Sequence, residues 1–163
     1  ATERSGPDSP EFVDYGGVRN LTDAAREAGV RHLVLVSSVG VDGGGGVFSW
    51  LLNTLIMPGI LDWKAKGEDH LRSSGVPYTI LRPGGLTDDG GGKIGIRIAP
   101  RGLLGGGTIA RADVAAVAVH VLGRTDAVGR TLELSGDDKA PVLSWQQLLT
   151  SVPIDEPPGA TSR

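Results

Sequence analysis

The sequence has no cysteine, no excess of basic residues and no long uninterrupted hydrophobic run. The absence of cysteine excludes a disulfide framework and a thiolate metal site, and it fits a reducing compartment, so a cytoplasmic location is expected. The net charge of -3 gives no electrostatic basis for binding nucleic acid or an anionic membrane surface. Small-molecule or protein partners are therefore expected.

The most apolar window, residues 47–60, is interrupted by Asn53, Pro58 and Gly59. It is also shorter than the ~20 residues that a membrane-spanning helix needs. We therefore expect a buried or lid helix there, and no membrane contact. The three histidines have no spacing that indicates a metal site or a catalytic triad, so no metal is expected.

The sequence also lacks the glycine-rich turn between strand and helix that holds a dinucleotide phosphate. Its 26 glycines gather in short tracts, at 43–46, 90–92 and 105–107, which are typical of loops. The first tract follows a predicted strand, but it is not G-x-G-x-x-G and no helix start follows closely. We do not predict a phosphate loop at this tract.

What the sequence does contain is an alternation of helices and strands. Apolar periodicity predicts a helix over 12–28 with Val13, Gly17, Leu21, Ala24 and Ala28 on its buried face. The same reasoning predicts a helix from Ile60 to Ser73, a helix over 112–122 that is apolar almost all round and so buried on most sides, and a short last helix capped by Ser144. Short apolar runs predict strands at 32–38, 78–81 and 131–135, and Ile94, Ile96 and Ile98 alternate as in an exposed or edge strand.

This order predicts an α/β fold, with a parallel sheet covered by helices on both faces. We expect one domain over residues 1–152 and a disordered tail over 153–163. With only three clear strands, an apolar sheet edge would stay exposed, which natural proteins avoid. Either a partner chain covers that edge, for example by self-association, or the sequence is a fragment.

The candidate functional residues follow two predicted strands. Ser37 and Ser38 end the first strand, and Arg82-Pro83-Gly84-Gly85 ends the second. In open parallel sheets, ligands bind at the carboxyl ends of the strands. Each motif is also a common strand-ending turn, so the functional interpretation depends on their convergence.

Lys64 adds a cation to this set, because helical spacing places it inside the buried stripe of its helix. The plain interpretation is that Lys64 pairs with Glu68 one turn later. The functional interpretation is that Lys64 reaches a ligand hydroxyl at the carboxyl edge of the sheet. Asp113 lies in the first turn of the 112–122 helix, where we expect a structural role.

Four blocks, taken in order, carry a family resemblance: VDYGGVRNLTDAAREAGVRHLVLVSSVGV, WKAKGEDHLRSSGVPYTILRPGGLTDD, TIARADVAAVAVHVL and GRTLELSG. Together they resemble the atypical short-chain dehydrogenase/reductase family, in its NAD(P)-binding NmrA-like branch. The resemblance implies a Rossmann-like parallel sheet and NAD or NADP as cofactor. It also implies that the amino-terminal strands of the domain, with the glycine-rich fingerprint, lie outside this sequence, so that the fold here is incomplete.

By this resemblance Lys64 matches the active-site lysine that hydrogen-bonds the nicotinamide ribose. Ser37 or Ser38 matches the strand-end serine, and Ser38 is taken with Lys64 as a catalytic candidate. The nicotinamide carboxamide would lie along the segment formed by Pro83, Gly84, Gly85 and Leu86. The family tyrosine falls at Ile60, which cannot donate a proton.

The resemblance therefore implies an oxidoreductase that acts on a small carbonyl, quinone or flavin-type acceptor. Ile60 favours an alternative, a non-catalytic NAD(P)-sensing or assembly protein. A third possibility is an inactive truncated fragment.

Overall fold

The computed structural model describes residues 6–43, 59–139 and 145–156. A π-helical segment over Glu11–Gly17 leads directly into helix α1. The elements that follow are α1 (Val18–Glu27), β1 (Leu33–Val36), α2 (Ile60–Ser73), β2 (Tyr78–Pro83), β3 (Gly85–Thr87), β4 (Gly95–Pro100), β5 (Thr108–Ala110), α3 (Arg111–Val121), a 3-10 turn (Thr125–Ala127), β6 (Arg130–Asp137) and α4 (Trp145–Thr150). The apolar window at 47–57, most of the first glycine tract and Ser144 lie outside the described residues.

The main sheet has four strands in the order β1-β2-β6-β4. The first three are parallel, and β4 runs antiparallel to β6 along the edge. The edge strand predicted from the alternating isoleucines is thus confirmed as β4. A second, two-stranded parallel sheet joins β3 to β5.

Helices cover both faces of the main sheet. One apolar cluster joins α3 to β2 and β6 through Val117, Leu81 and Leu132. The other joins α2 to β2 through Leu71 and Ile80. All six residues of β2 are buried, as in a strand covered on both faces. The predicted Rossmann-like α/β class is confirmed.

The predicted buried face of the first helix is wrong. Val13 and Leu21 are each 54% exposed, whereas Thr22 and Ala25 are buried. The π-helical segment has a different period from an α-helix, so it shifts the face that an unbroken 3.6-residue repeat assigns. The stripe facing α2 consequently starts at Asp14 and Val18.

Helix α3 is not buried on most sides, contrary to the sequence prediction. Val114, Val117 and Val121 pack inward, but Val119 is 76% exposed. No described element packs on this outer face, although its side chains are apolar. The outer face of α3 around Val119 is therefore an exposed apolar surface.

The predicted tail boundary at residue 152 is also wrong for residues 153–156. The Thr131 backbone N–H and hydroxyl both donate to the Asp155 carboxylate, at 3.1 and 2.6 Å. Arg72 Nε donates to the same carboxylate at 3.3 Å. These bonds anchor the chain against α2 and β6. Across the described ranges, none of the helices has both the length and the apolarity to cross a bilayer.

Candidate cofactor site at the carboxyl ends of the strands

The loop after β1 is tied to the end of β2 by backbone hydrogen bonds. Ser37 N–H donates to the Leu81 carbonyl at 2.7 Å, and Val39 N–H donates to the Pro83 carbonyl at 3.1 Å. The two strand ends singled out from the sequence therefore lie side by side. Lys64 approaches them from α2.

Lys64 and Ser37 line one cavity of about 90 Å³, together with Asp14. Lys64 Nζ donates to Asp14 Oδ1 at 2.7 Å, and the two side chains are 23% and 16% exposed. The apolar part of the wall is Val13, Val18, Leu35 and Val36. The structure thus brings an ammonium, a carboxylate and a hydroxyl together at the end of β1.

The two serines have different roles in the structure. Ser37 is 9% exposed, and its buried Oγ has no hydrogen-bond partner among the described residues. Ser38 Oγ instead donates to the Val39 carbonyl at 3.1 Å, and Ser38 does not line the Lys64 cavity. An unpaired buried hydroxyl is costly, and a ligand that hydrogen-bonds it removes that cost.

The plain interpretation that Lys64 pairs with Glu68 is wrong. Glu68 is fully buried, where it accepts hydrogen bonds from Arg82 at 3.0 and 2.7 Å and from Arg72 at 2.7 Å. Two guanidinium groups already occupy the Glu68 carboxylate. Lys64 is left to pair with Asp14.

Arg82 lies at the centre of a buried ionic network. Its side chain is fully buried, and besides Glu68 it contacts Asp42, which Arg101 also binds with two hydrogen bonds of 2.7 Å. Burial alone would raise the pKa of Asp42, but the hydrogen bonds from Arg101 and Arg82 outweigh burial and hold that pKa well below its usual range. The network fixes the loop after β1 to β2 and to the loop after β4.

Gly84 and Gly85 do not offer their backbone N–H groups to a ligand. Gly84 N–H donates to the Leu134 carbonyl at 2.9 Å, and Gly85 N–H donates to the Gly107 carbonyl at 2.8 Å. A Cβ at Gly84 would lie 2.3 Å from the Gly107 carbonyl oxygen. The close approach that this glycine allows is therefore that of another backbone segment, and a cofactor contact along Pro83 to Leu86 stays a prediction.

Leu86 lines a second cavity, of about 250 Å³, whose wall also includes Val36. The remaining wall residues belong to α3: Arg111, Val114, Ala115 and Ala118. Val36 contributes to the walls of both cavities, but they lie on opposite faces of the sheet: the polar cavity faces α1 and α2, and the apolar cleft faces α3. A ligand with a hydroxylated part and a flat apolar part would have to pass the carboxyl end of β1 to contact both.

Ile60, at the position of the family tyrosine, is 8% exposed and packs with Val41 and Leu61. This position is part of an apolar cluster under the loop that follows β1. No acidic proton is available there.

The histidines lie away from this cavity. Gly123 N–H donates to His32 Nδ1 at 2.9 Å, and His32 Nε2 lies 2.9 Å from Thr79 Oγ1. Burial lowers the pKa of His32. His32 also lines an open cavity of about 530 Å³ at the opposite, amino end of the strands, together with Arg31 and Gly123.

Sequence reasoning missed Asp14 and the Arg82 network. A signal for Arg82 was available: a charged residue inside the apolar run TILRPGG must be buried and paired. Asp14 had no such signal, because its partner lies fifty positions away. The structural role expected for Asp113 agrees with its hydrogen bond from Gly92 N–H, at 2.7 Å.

The cavity residues fit the ribose of a nicotinamide cofactor. Lys64 and Ser37 can donate to hydroxyl oxygens, and Asp14 and Ser37 can accept from hydroxyl groups. Adjacent hydroxyls on a sugar need both functions within a few ångströms.

Comparisons with known proteins agree with this geometry. A family model described as NAD(P)H-binding matches residues 1–125. An uncharacterised chloroplast protein of Arabidopsis thaliana is 40% identical over 149 residues, which are 88% of this chain and 45% of that protein. Sanguinarine reductase of Eschscholzia californica is 44% identical over 116 residues, 69% of this chain and 41% of the enzyme.

Among solved structures, an anaerobillin reductase from Escherichia coli O157:H7 superposes with a TM-score of 0.63 at 28% identity. The match covers 78% of this chain and 61% of that one. The chain spans less than half the length of the two curated relatives described above.

Proposed function

Because this chain belongs to the NAD(P)H-binding family, within the atypical short-chain dehydrogenases/reductases, we propose that Lys64 and Ser37 hold the nicotinamide ribose in an NADPH- or NADH-dependent reductase. The observation that carries this proposal is the buried Ser37 hydroxyl, which has no hydrogen-bond partner in the described part of the chain and belongs to a residue that lines the same cavity as Lys64. A ribose hydroxyl in this cavity would satisfy Ser37 and use the charge of Lys64. The NmrA-like branch stays a prediction.

The cofactor supplies a hydride, and the chain supplies binding and orientation. Lys64 and Ser37 would fix the ribose, and the apolar cleft between Val36 and Leu86 would hold the flat ring and exclude water from one side of it. The residues around the ribose come from α1 and the segment before it, from β1 and from α2, and those around the ring come from β1, the segment after β2 and α3.

Ile60 favours a quinone or flavin-type acceptor over a simple carbonyl. Hydride transfer to a carbonyl produces an alkoxide, which needs a general acid in the site. Hydride transfer to a quinone or flavin produces a stabilised anion that can take its proton from water. The names of two similar proteins, sanguinarine reductase and anaerobillin reductase, support a reductase activity.

NADPH consumption with a panel of quinones, flavins and aldehydes tests the proposal, with Lys64→Met as the variant. We expect Lys64→Met to lower kcat/KM by about tenfold or more, the loss for one hydrogen bond to a charged group. Lys66→Met is the matched control, because Lys66 lies on the same helix but contacts the Trp63 ring, with Nζ 3.8 Å from the ring centroid. Equal kcat/KM values for Lys64→Met and the unmodified chain would contradict the proposal.

The buried Ile60 also supports a second candidate function, NAD(P)H sensing without turnover. In that case NADPH binding is saturable and Lys64→Met still weakens it, but no acceptor in the panel is reduced. Turnover with any acceptor that depends on Lys64 contradicts the sensing function.

For partners, we propose a small-molecule substrate and self-association of this chain through the free side of β1. No described strand pairs with that side of β1, and Val36 on it is 48% exposed. A cytoplasmic location remains an expectation from the composition; the Arabidopsis relative is by name a chloroplast protein.

A further inference from the structure

No sequence pattern singles out Asp14, yet it is the only acidic side chain among the described residues that line the Lys64 cavity. Its carboxylate lies between α1 and α2, and the hydrogen bond from Lys64 Nζ is 2.7 Å long. A partly buried charge pair of this kind holds both groups in place.

The backbone around Asp14 is fixed by close packing on α2. A Cβ at Gly67 would lie 2.8 Å from the Asp14 carbonyl oxygen and 3.2 Å from Val18 Cβ. The absence of a side chain at Gly67 therefore lets the segment that carries Asp14 lie directly against α2, one turn after Lys64. This packing fixes the backbone of Asp14, whose side chain lines the cavity.

We propose that Asp14 and Lys64 form a donor–acceptor pair for two adjacent ribose hydroxyls, with Lys64 donating to one oxygen and Asp14 accepting from the other hydroxyl. This inference rests on the proposed function, and it assigns Asp14 as a binding residue. A vicinal diol presents a donor and an acceptor side by side, which matches an ammonium and a carboxylate 2.7 Å apart. Ser37 lines the same cavity.

The test compares two ligands on the full chain: reduced nicotinamide mononucleotide and its analogue without the two ribose hydroxyls. The mononucleotide is chosen because it carries the nicotinamide and its ribose without the adenosine half. Kd values are measured by NMR titration for the unmodified chain and for Asp14→Ala, Asp14→Asn, Lys64→Met and Asp23→Ala. Asp23→Ala is the matched control, because Asp23 makes a similar 2.9 Å contact from α1 to His70 of α2.

We expect the unmodified chain and Asp23→Ala to prefer the diol ligand by about tenfold or more, as for hydrogen bonds to charged groups. Asp14→Ala should remove most of this preference while leaving binding of the diol-free analogue unchanged. A purely structural role would weaken both ligands equally. Asp14→Asn keeps the shape of the side chain and an acceptor oxygen but not the charge, so it should lower the preference less than Asp14→Ala, and it serves if Asp14→Ala does not fold.

Two outcomes overturn the inference in distinguishable ways. If Lys64→Met loses the preference but both Asp14 variants keep it, Asp14 does not bind the ribose and the proposed function stands. If the unmodified chain binds the two ligands equally or binds neither, the ribose does not occupy this cavity, and the proposed function fails together with the role of Asp14.

Discussion

Arg82 connects β2 to α2 and to the loop after β1 through its ion pairs with Glu68 and Asp42. It is fully buried and neutralised by Glu68, which is also fully buried, and by Asp42. Burial alone would lower the pKa of Arg82, but the hydrogen bonds to Glu68 and Asp42 raise it above its usual value. The guanidinium is thus a permanent charge that depends on its two carboxylates.

Removing this charge should be severely destabilising. We expect Arg82→Met to lower the free energy of unfolding by about 3–5 kcal/mol, because it leaves Glu68 buried beside only one guanidinium, that of Arg72. Urea unfolding followed by circular dichroism measures the change.

Arg111→Met is the control for this measurement, since its ion pair with Asp88 is exposed on both sides and should contribute nothing measurable. If Arg82→Met unfolds at the same urea concentration as the unmodified chain, the buried network does not stabilise the fold.

The sequence singles out some candidate residues and not others, for a physical reason. Lys64, Ser37 and the segment after β2 are candidates because strand ends and helix periodicity are local patterns, and their binding roles stay predictions. Asp14 and Asp42 act through partners fifty and forty positions away, and no local pattern encodes such pairs. Ser37 and Ser38 could be distinguished only by where each hydroxyl points.

Among the elements, the crossing of α1 and α2 decides where Asp14 lies. The helices themselves were predicted correctly, and the bounds of α2 agree with the sequence prediction to the residue. The buried face of α1 was predicted wrongly, because the π-helical segment before this helix changes the phase of the apolar repeat. Periodicity thus predicted that α1 exists, but not which side of it packs against α2.

Gly67→Ala tests this crossing. The added methyl group would meet the Asp14 carbonyl oxygen at 2.8 Å, so the two helices must move apart. We expect a loss of about 1–3 kcal/mol in the free energy of unfolding, as for overpacking, and weaker binding of the diol ligand because Asp14 is displaced.

Gly17→Ala controls for helix propensity. Its Cβ would lie 3.8 Å from the Phe12 carbonyl oxygen, which is an ordinary contact. Stability should stay equal or rise slightly. If Gly67→Ala is as stable as Gly17→Ala, the close packing at Gly67 does not exist in solution.

For the whole molecule, the main feature is that several apolar surfaces are uncovered. One side of β1, the exposed part of α1 around Val13 and Leu21, and the outer face of α3 around Val119 all lack a covering element among the described residues. The sequence predicted a parallel sheet and a free edge, because βαβ connections leave few alternatives. The sequence did not predict the exposed apolar helix faces, because an apolar residue does not by itself indicate whether another element covers it.

We expect this chain to self-associate through β1 in a concentration-dependent way, because an apolar edge strand without charged residues invites pairing. Val36→Lys should shift the population towards monomer in analytical ultracentrifugation, since it places a charge on that edge. Leu103→Lys is the control, because Leu103 is 67% exposed but lies in the loop after β4. A monomer at all concentrations for the unmodified chain would refute self-association.

Binding of the nicotinamide ribose at the carboxyl end of β1 can be tested by an NMR titration. Chain labelled with ¹⁵N is titrated with reduced nicotinamide mononucleotide, and the amide shifts are mapped onto the structure. We expect the largest shifts at Asp14, Ser37, Lys64 and Leu86. Shifts concentrated instead around His32 and Gly123, at the cavity on the amino end of the strands, would contradict it.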